Sequence, residues 1–425
     1  MKSGMVLVKY EWKKIFLKPA NRAALLLLLA CIGIVSYFAV ISISYTDRSG
    51  KSFSGPKAAA CLRKEKNQWA GELTTEVLQN VLEANHEVNT SPEYLSNNVT
   101  DNNIAFSRKQ GFSDIREMIN QAFSGFQEYD YYRADNISED EVVSFYDNRV
   151  KNLRNWLYEG DGKDQFSENE KSWLISRYET LERPLHYEYA DGWKSLLEYM
   201  SVVLMAVVLI TGFLVSGIFA DEFAWRAAPV FFSSCYGRNK GTGAKIKAGF
   251  LLITVIYWLA VLLYSGLVLL CLGAGGGNCM IQTGLGGWKS WCHITFFQEY
   301  LLSAAGGYIG TLFILAAAMT ITAKTRSAVL GASLPFILLF LPAFLPDLSG
   351  ITKMLGLLPD QLLQLPFGLN TFSLYQIGKT IVPAVPILFL VYSVLSVLLL
   401  PAAWQSYRQT GMRQPACRRS AACRS

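Results

Sequence analysis

Apolar and polar residues are sorted along this chain into long blocks instead of short alternations. Residues 24–44 carry no charged side chain, and comparable Leu/Ile/Val/Phe-rich runs return near 199–220, 248–273, 300–322, 328–346 and 381–403. A helix rising about 1.5 Å per residue needs roughly 20 residues to cross a hydrocarbon core about 30 Å thick. Lipid offers an open backbone no hydrogen-bond partner, so runs of this length predict helices and exclude open sheet. The pattern predicts an all-α polytopic membrane protein with six transmembrane helices, at 23–45, 193–220, 248–273, 299–322, 328–346 and 381–403.

Between the first two runs lies a polar segment, 46–192, long enough to fold as a domain of its own. Its text is helical. Ser138 with Glu141, and Ser167 with Glu170, have the Ser-x-x-Glu spacing in which hydroxyl and carboxylate satisfy free amides at a helix start. After the first pair, Val142, Phe145, Tyr146, Val150, Leu153, Trp156 and Leu157 recur at three- and four-residue steps, predicting a buried stripe. Asn-rich and Pro-containing text around 89–103 reads as a loop between helices. The aromatic run Phe126, Tyr129, Tyr131, Tyr132 fits core or rim packing better than a ligand site.

Charge turns these blocks into a topology. Of the 33 acidic residues, 26 lie within 46–192 against 17 bases, about −9, while the remainder of the chain carries about +15 towards the overall +6. Lys2, Lys9, Lys13, Lys14, Lys18 and Arg22 precede the first span, Arg226, Arg238, Lys240, Lys245 and Lys247 follow the second, and five arginines follow the sixth. Bases near span ends mark the inner face, placing both termini and loops 221–247 and 323–327 in the cytoplasm. Segments 46–192, 274–298 and 347–380 then lie outside, and 404–425 is a basic cytoplasmic tail. Orientation and anionic lipid head groups account for these bases without nucleic acid. The expected location is the plasma membrane of a bacterial cell.

The basic stretch before the first run is expected to be an uncleaved anchor, since the run exceeds a signal-peptide core and no clear Ala-x-Ala site follows. Within 1–22, Val8, Trp12, Ile15 and Phe16 share one helical face while Lys9, Lys13 and Lys14 share the other. This spacing suits a helix lying in the membrane interface, Trp12 at head-group level and Lys13 and Lys14 reaching phosphates, with an elbow at Pro19. A frayed basic terminus is the alternative.

Chemistry is sparse. Only Cys279 and Cys292 share an outer loop, making them the one candidate disulfide; Cys417 and Cys423 lack the paired Cys/His spacing of a zinc site. No metal is expected. His86, His186 and His293 cannot be matched with a nucleophile and an orienting acid, and no hydrolase or metalloprotease motif is present, so no catalytic residue is assigned. The GRNKGTGAK stretch at 237–245 has the glycines and lysine of a phosphate loop. It lacks the Gly-x-x-x-x-Gly-Lys-Ser/Thr spacing and follows a span instead of a strand. The span interiors hold no Asp, Glu, His or Lys, which weighs against an ion-coupled carrier; Glu198 and Glu299 fall at outer span ends, within reach of water.

The longest inner loop, 221–247, is then the chain's handle for outside force. It opens on Asp221 and Glu222, runs through Phe223, Trp225, Arg226, Pro229, Phe231 and Phe232, and turns polar at Ser233, Ser234, Gly237 and Arg238. A short aromatic helix of this kind suits the groove of a partner protein; an ordinary basic loop with interfacial aromatics is the competing reading.

At these residues the chain resembles a family. The basic start KYEWKK, the large domain between spans one and two, and ADEFAWRAAPVFFSSCYGRNKGTGAKIKA are similar to the membrane subunits of type-2 ABC exporters. Glu222, Ser233, Ser234, Arg238 and Lys245 match that family's acid, Ser-rich Gly-x-Arg turn and following lysine; a glycine that often follows the acid is replaced by Phe223-Ala224. The resemblance implies a permease without cofactor of its own, driven by a separate ATP-binding subunit that carries ATP and Mg²⁺, with a second permease subunit completing the path. Phe223, Arg226 and Gly237 join the five matched residues as coupling candidates.

Two features agree with that layout. Gly306 and Gly310 have the small-x-x-x-small spacing of close helix packing. The 347–380 segment is too polar and Pro-interrupted to span, and reads equally as short half-helices dipping into the outer leaflet, as in the family, or as an interfacial loop. The functional expectation is the permease subunit of an ATP-driven exporter. The rival from another class is a membrane sensor whose outer domain binds an extracytoplasmic ligand.

Overall fold

Where no water reaches the backbone, every amide has to find its partner within its own segment, and the uncharged runs duly wind into helices. The computed structural model describes residues 2–234, 237–284, 286–345 and 352–410. In chain order the helices are α1 (Lys2–Leu17), α2 (Pro19–Ile41), α3 (Pro56–Lys66), α4 (Thr75–Asn89), α5 (Pro92–Leu95), α6 (Val99–Lys109), α7 (Ser113–Phe123), α8 (Phe145–Tyr158) and α9 (Glu168–Glu179). They continue as α10 (Asp191–Ala224), α11 (Ala228–Ser233), α12 (Thr242–Leu272), α13 (Phe296–Thr325), α14 (Ala328–Phe340), α15 (Thr352–Leu355), α16 (Leu365–Gly368) and α17 (Ala384–Thr410). Three two-stranded antiparallel ribbons interrupt them: β1 (Ser44–Thr46) with β2 (Ser52–Ser54), β3 (Gly71–Glu72) with β4 (His186–Tyr187), and β5 (Leu374–Ile377) with β6 (Thr380–Pro383).

Among the described residues five helices are long and apolar enough to cross a membrane: α2, α10, α12, α13 and α17. The fold is thus helical and multi-pass. The fifth expected span is shorter, because α14 has 13 residues and Pro342 converts its continuation into a tight turn at Leu341–Phe344. Helix and turn together rise roughly 28 Å. Pro335 sits inside α14 and lies against Gly212 of α10, where an added Cβ would come within 2.7 Å of the proline ring.

Helix α10 is the centre of the bundle and packs against α2, α12, α13 and α14. The apolar window of α10 is 67% buried, against 28% for α2 and 22% for α17, so the latter two lie at the periphery. The chain turns sharply at Lys18, extended at φ −70° and ψ 124°, with Pro19 opening α2.

Gly306 and Gly310 of α13 do bring neighbours close, but the neighbours are not only helices. An added Cβ on Gly310 would meet Leu362 and the Pro359 carbonyl, and one on Gly306 would collide with Leu365 and crowd Phe389 of α17. The stretch Pro359–Leu369 therefore packs at mid-height on α13. Its backbone is satisfied locally by a 3-10 turn at Pro359–Leu363 and by α16.

Helices α3–α9 form a polar module at the end of the bundle opposite α1. The stripe on α8 is buried through Phe145, Leu153, Trp156 and Leu157, and the Ser167/Glu170 box caps α9. The 89–103 stretch is more ordered than its composition predicts: Ser91 caps α5 and Asn98 caps α6, since residues that favour turns also start helices. Tyr129, Tyr131 and Tyr132 lie exposed at the rim, while Phe126 stacks on Trp156 and Phe372. The module's core also draws on later chain. Trp288 packs on Phe145, and Phe372 and Leu374 join Leu153, Trp156 and Tyr178. Cys279 and Cys292, the candidate disulfide, are buried free thiols; the Cys292 thiol faces the Leu369 carbonyl at 3.9 Å.

A buried ion cluster fastens module to bundle. Lys66 donates to Asp114 (2.9 Å) and to both oxygens of Asp191 (2.8 Å), Lys194 donates to Asp114 (2.7 Å), and the Tyr187 hydroxyl donates to Asp114 (3.2 Å). Two lysines against two aspartates leave it neutral. The lysines hold the Asp114 carboxyl well below the usual carboxylate range despite its burial.

Two predictions follow from this packing. Gly310→Leu overpacks the contact with Pro359 and Leu362 and lowers stability by about 1–3 kcal/mol, whereas Gly33→Leu, with nothing within 4 Å of its added Cβ, is neutral; thermal unfolding in detergent compares them. A depressed folded pKa means Asp114 stabilises the module fully above its unfolded value near 4, and that contribution disappears as pH falls through the lower folded value. Tryptophan fluorescence from pH 7 to 2 shows loss of module structure below about pH 4, and Asp114→Asn is destabilised already at pH 7 with a flatter acid profile.

Candidate functional site

The end of the bundle opposite the module is organised around the last turn of α10. Its capping bonds run from the Ala227 amide to the Glu222 carbonyl (2.8 Å) and from the Arg226 amide to the Phe223 carbonyl (3.1 Å). Such a cap needs one left-handed residue, normally glycine, and here Arg226 takes it at φ 56°. The chain then forms α11, a π-turn at Gly237–Gly241, and α12. Gly237 is dictated by space: any Cβ would overlap the Phe231 carbonyl, and its amide donates to the Ser234 hydroxyl at 3.0 Å.

Four side chains from three helices meet beneath this turn. Lys245 of α12 is fully enclosed and spends its three ammonium protons on Glu222 Oε1 (2.6 Å), the Ile218 carbonyl (2.8 Å) and Glu11 Oε2 (3.2 Å). Lys14 of α1 donates to the same Glu222 oxygen (2.9 Å) and to Glu11 (3.1 Å). The Tyr407 hydroxyl of α17 reaches Glu222 Oε2 at 3.4 Å. Two carboxylates against two ammonium groups are again neutral, which lets the cluster exist out of water. Beside it Lys18 pairs with Asp221 at 2.5 Å and lies over Trp225.

Aromatic rings seal the cluster. Phe219, Phe223, Phe231 and Phe232 each have their centroid within 6.1 Å of the Tyr407 ring. These phenylalanines are internal packing and not head-group anchors.

The eight candidate residues thus divide in two. Glu222, Lys245 and Gly237 are buried and Phe223 is half-buried, so these four build the support. Arg226, Ser233, Ser234 and Arg238 are exposed, together with Trp225 (55%) and Val230 (73%). Ser233 and Ser234 donate to the Val230 and Phe231 carbonyls at 3.1 and 2.8 Å, pinning the last turn of α11. Cys235 and Tyr236, and the basic tail beyond Thr410, lie outside the described residues.

At α1 the structure differs from the interfacial arrangement expected of Trp12 and Lys14. The Trp12 indole donates to the Ala248 carbonyl of α12 at 2.9 Å, and Lys14 turns inward to two carboxylates; Lys13 stays exposed. The reason is Glu11, an acid three residues from Val8 and four from Ile15 on the apolar face, which draws lysines inward. That placement was the available signal for the cluster. Tyr407 gave none, since it falls in the stretch read as a basic cytoplasmic tail, which the structure instead continues as helix to Thr410. Glu299, expected to meet water, is buried beneath Pro366 and Phe367. Among the described residues no group of three or more His, Cys, Asp or Glu side chains converges as a metal site would.

Removing one member of a buried ion pair costs about 3–5 kcal/mol because the other charge is stranded. Lys245→Met is therefore strongly destabilising, and Glu222→Gln in that background restores part of the loss, a coupling measurable as a double-mutant cycle in denaturant unfolding.

Compared with known proteins, the chain matches no family model, no curated protein and no solved structure at a significant level.

Proposed function

We propose that this chain is the permease subunit of an ATP-driven exporter, moved by a separate ATP-binding subunit that docks on the exposed face formed by Trp225, Arg226, Val230, Ser233, Ser234 and Arg238. The observation that carries the reading is the seating of that face. Trp225, Val230, Ser233, Ser234 and Arg238 stand outward on a turn whose underside is the neutral Glu11–Lys14–Glu222–Lys245 cluster. A push on α11 is passed at once to α1, α10 and α12, because their charges share one enclosure and none can leave without stranding another, and to α17 through the Tyr407 hydroxyl and ring. A floppy basic loop would dissipate such a push.

The remaining assignments follow from this one. The bases flanking α2, α10, α13 and α17 support an orientation with both termini and α11 in the cytoplasm of a bacterial cell and the module outside. Helix α14 with its turn supplies a sixth crossing, and Pro359–Leu369 is a re-entrant segment seated on Gly306 and Gly310. The thinly covered faces of α2 and α17 suit lipid and a second permease subunit. ATP and Mg²⁺ reside on the partner, and this chain has no catalytic role.

Affinity purification from native membranes tests the reading. The wild type retains an Mg²⁺-dependent ATPase, and Val230→Glu or Arg238→Glu lowers the retained activity at least tenfold with unchanged thermal stability. Retention that is indifferent to both substitutions, or maleimide labelling of cysteines placed at positions 100 and 240 from the same membrane side, sinks it.

A further inference from the structure

The Glu299 carboxylate has no counter-charge among the described residues. The Glu299 side chain, in the first turn of α13, is only 6% exposed, and among the described residues no side chain or backbone group donates a hydrogen bond to it. It faces a cavity of about 260 Å³ between the first turns of α10 and α13, the residues Ile281, Gly284 and Gly287, and the tail of the Pro359–Leu369 segment. Glu198 lines the same cavity, and so does Lys194. That lysine is committed elsewhere, to Asp114 at 2.7 Å and Asp191 at 3.6 Å. The two clusters described above are each balanced, whereas this cavity is lined by one buried carboxylate, Glu299, and one exposed carboxylate, Glu198, with no uncommitted cation among the described lining residues.

Burying a carboxylate without a partner costs several kcal/mol, a cost removed by taking up a proton or by binding a cation. The walls define what kind of cation. Leu197, Ile281, Phe296 and Phe367 are apolar, which is poor lining for a hydrated metal ion and good lining for a short hydrocarbon. The phenylalanine rings add faces against which an ammonium group is stable. A space of this size admits a small alkylammonium group.

We infer that Glu299 and Glu198 form a binding site for a primary ammonium group on a short apolar stem, seated where the bundle meets the module. The stem belongs either to a free amine or to the ammonium head group of a membrane lipid. The site stands apart from the exporter reading and survives its failure.

The probes are n-butylammonium, for a free amine, and nanodiscs of phosphatidylethanolamine against phosphatidylglycerol, for a head group. Thermal unfolding of the purified full chain is the readout, since a ligand that binds only the folded state raises the midpoint by mass action. Butylammonium raises the wild-type midpoint in a saturable way that equal sodium chloride does not, with at least tenfold weaker apparent affinity in Glu299→Gln. A free-amine site shows this in detergent alone; a head-group site shows in addition a phosphatidylethanolamine stabilisation that Glu299→Gln loses. Equal responses of wild type and Glu299→Gln to both probes, or a sodium response equal to the amine's, overturn the assignment. Should Glu299→Gln not fold, Glu198→Gln, at the exposed carboxylate of the site, replaces it: at least tenfold weaker apparent affinity for butylammonium is expected, and a response equal to the wild type's overturns the inference.

Discussion

The ammonium group of Lys245 has no exposed surface, and the bundle is arranged so that it never needs any. Its three protons are taken by α10 and α1, and the carboxylate it serves most closely, Glu222, is completed by Lys14 and Tyr407. Hydrophobic contact alone specifies little among membrane helices, because lipid tails are as apolar as leucine. A charge that can be satisfied in only one arrangement does specify, and here it fixes the relative height and rotation of four helices at once.

The opposite end of α10 uses the same solution with different residues. Asp191 and Lys194 of α10 lock with Lys66 and Asp114 of the module, so a helix about 51 Å long carries a neutral ionic joint at each end. Between the joints the helix is held by close packing, as where Pro335 of α14 meets Gly212. Ionic ends and a tightly packed middle give α10 the stiffness of a strut.

What the sequence revealed follows from which signals are local. An uncharged run is visible residue by residue, so α2, α10, α12, α13 and α17 were legible, as were the α8 stripe and the box at Ser167. The shorter α14 was overestimated because Pro342 ends regular helix without ending the apolar run. Pairings across more than two hundred residues, such as Lys14 with Glu222 or Trp12 with Ala248, leave no local trace, and basic residues near a membrane were read as lipid-facing by default. Pro359–Leu369 was ambiguous for a related reason: its polar and proline-rich text describes a surface loop equally well, and only the space above Gly306 and Gly310 admits it into the bundle. The eight candidate residues lie close together in the chain, but their division into buried support and exposed face depends on rotation about α10, which composition does not encode.

The hairpin β5–β6 gives Phe372 and Leu374 to the module's core and then, through Pro383, becomes the first residue of α17 without any intervening slack. The last helix is therefore geared to the module at one end and, through Tyr407, to the Lys245 enclosure at the other. A tilt of the module cannot be absorbed by a hinge in this stretch. It has to reappear as a displacement of α17, which makes the outermost helix of the bundle a reporter of events on both faces.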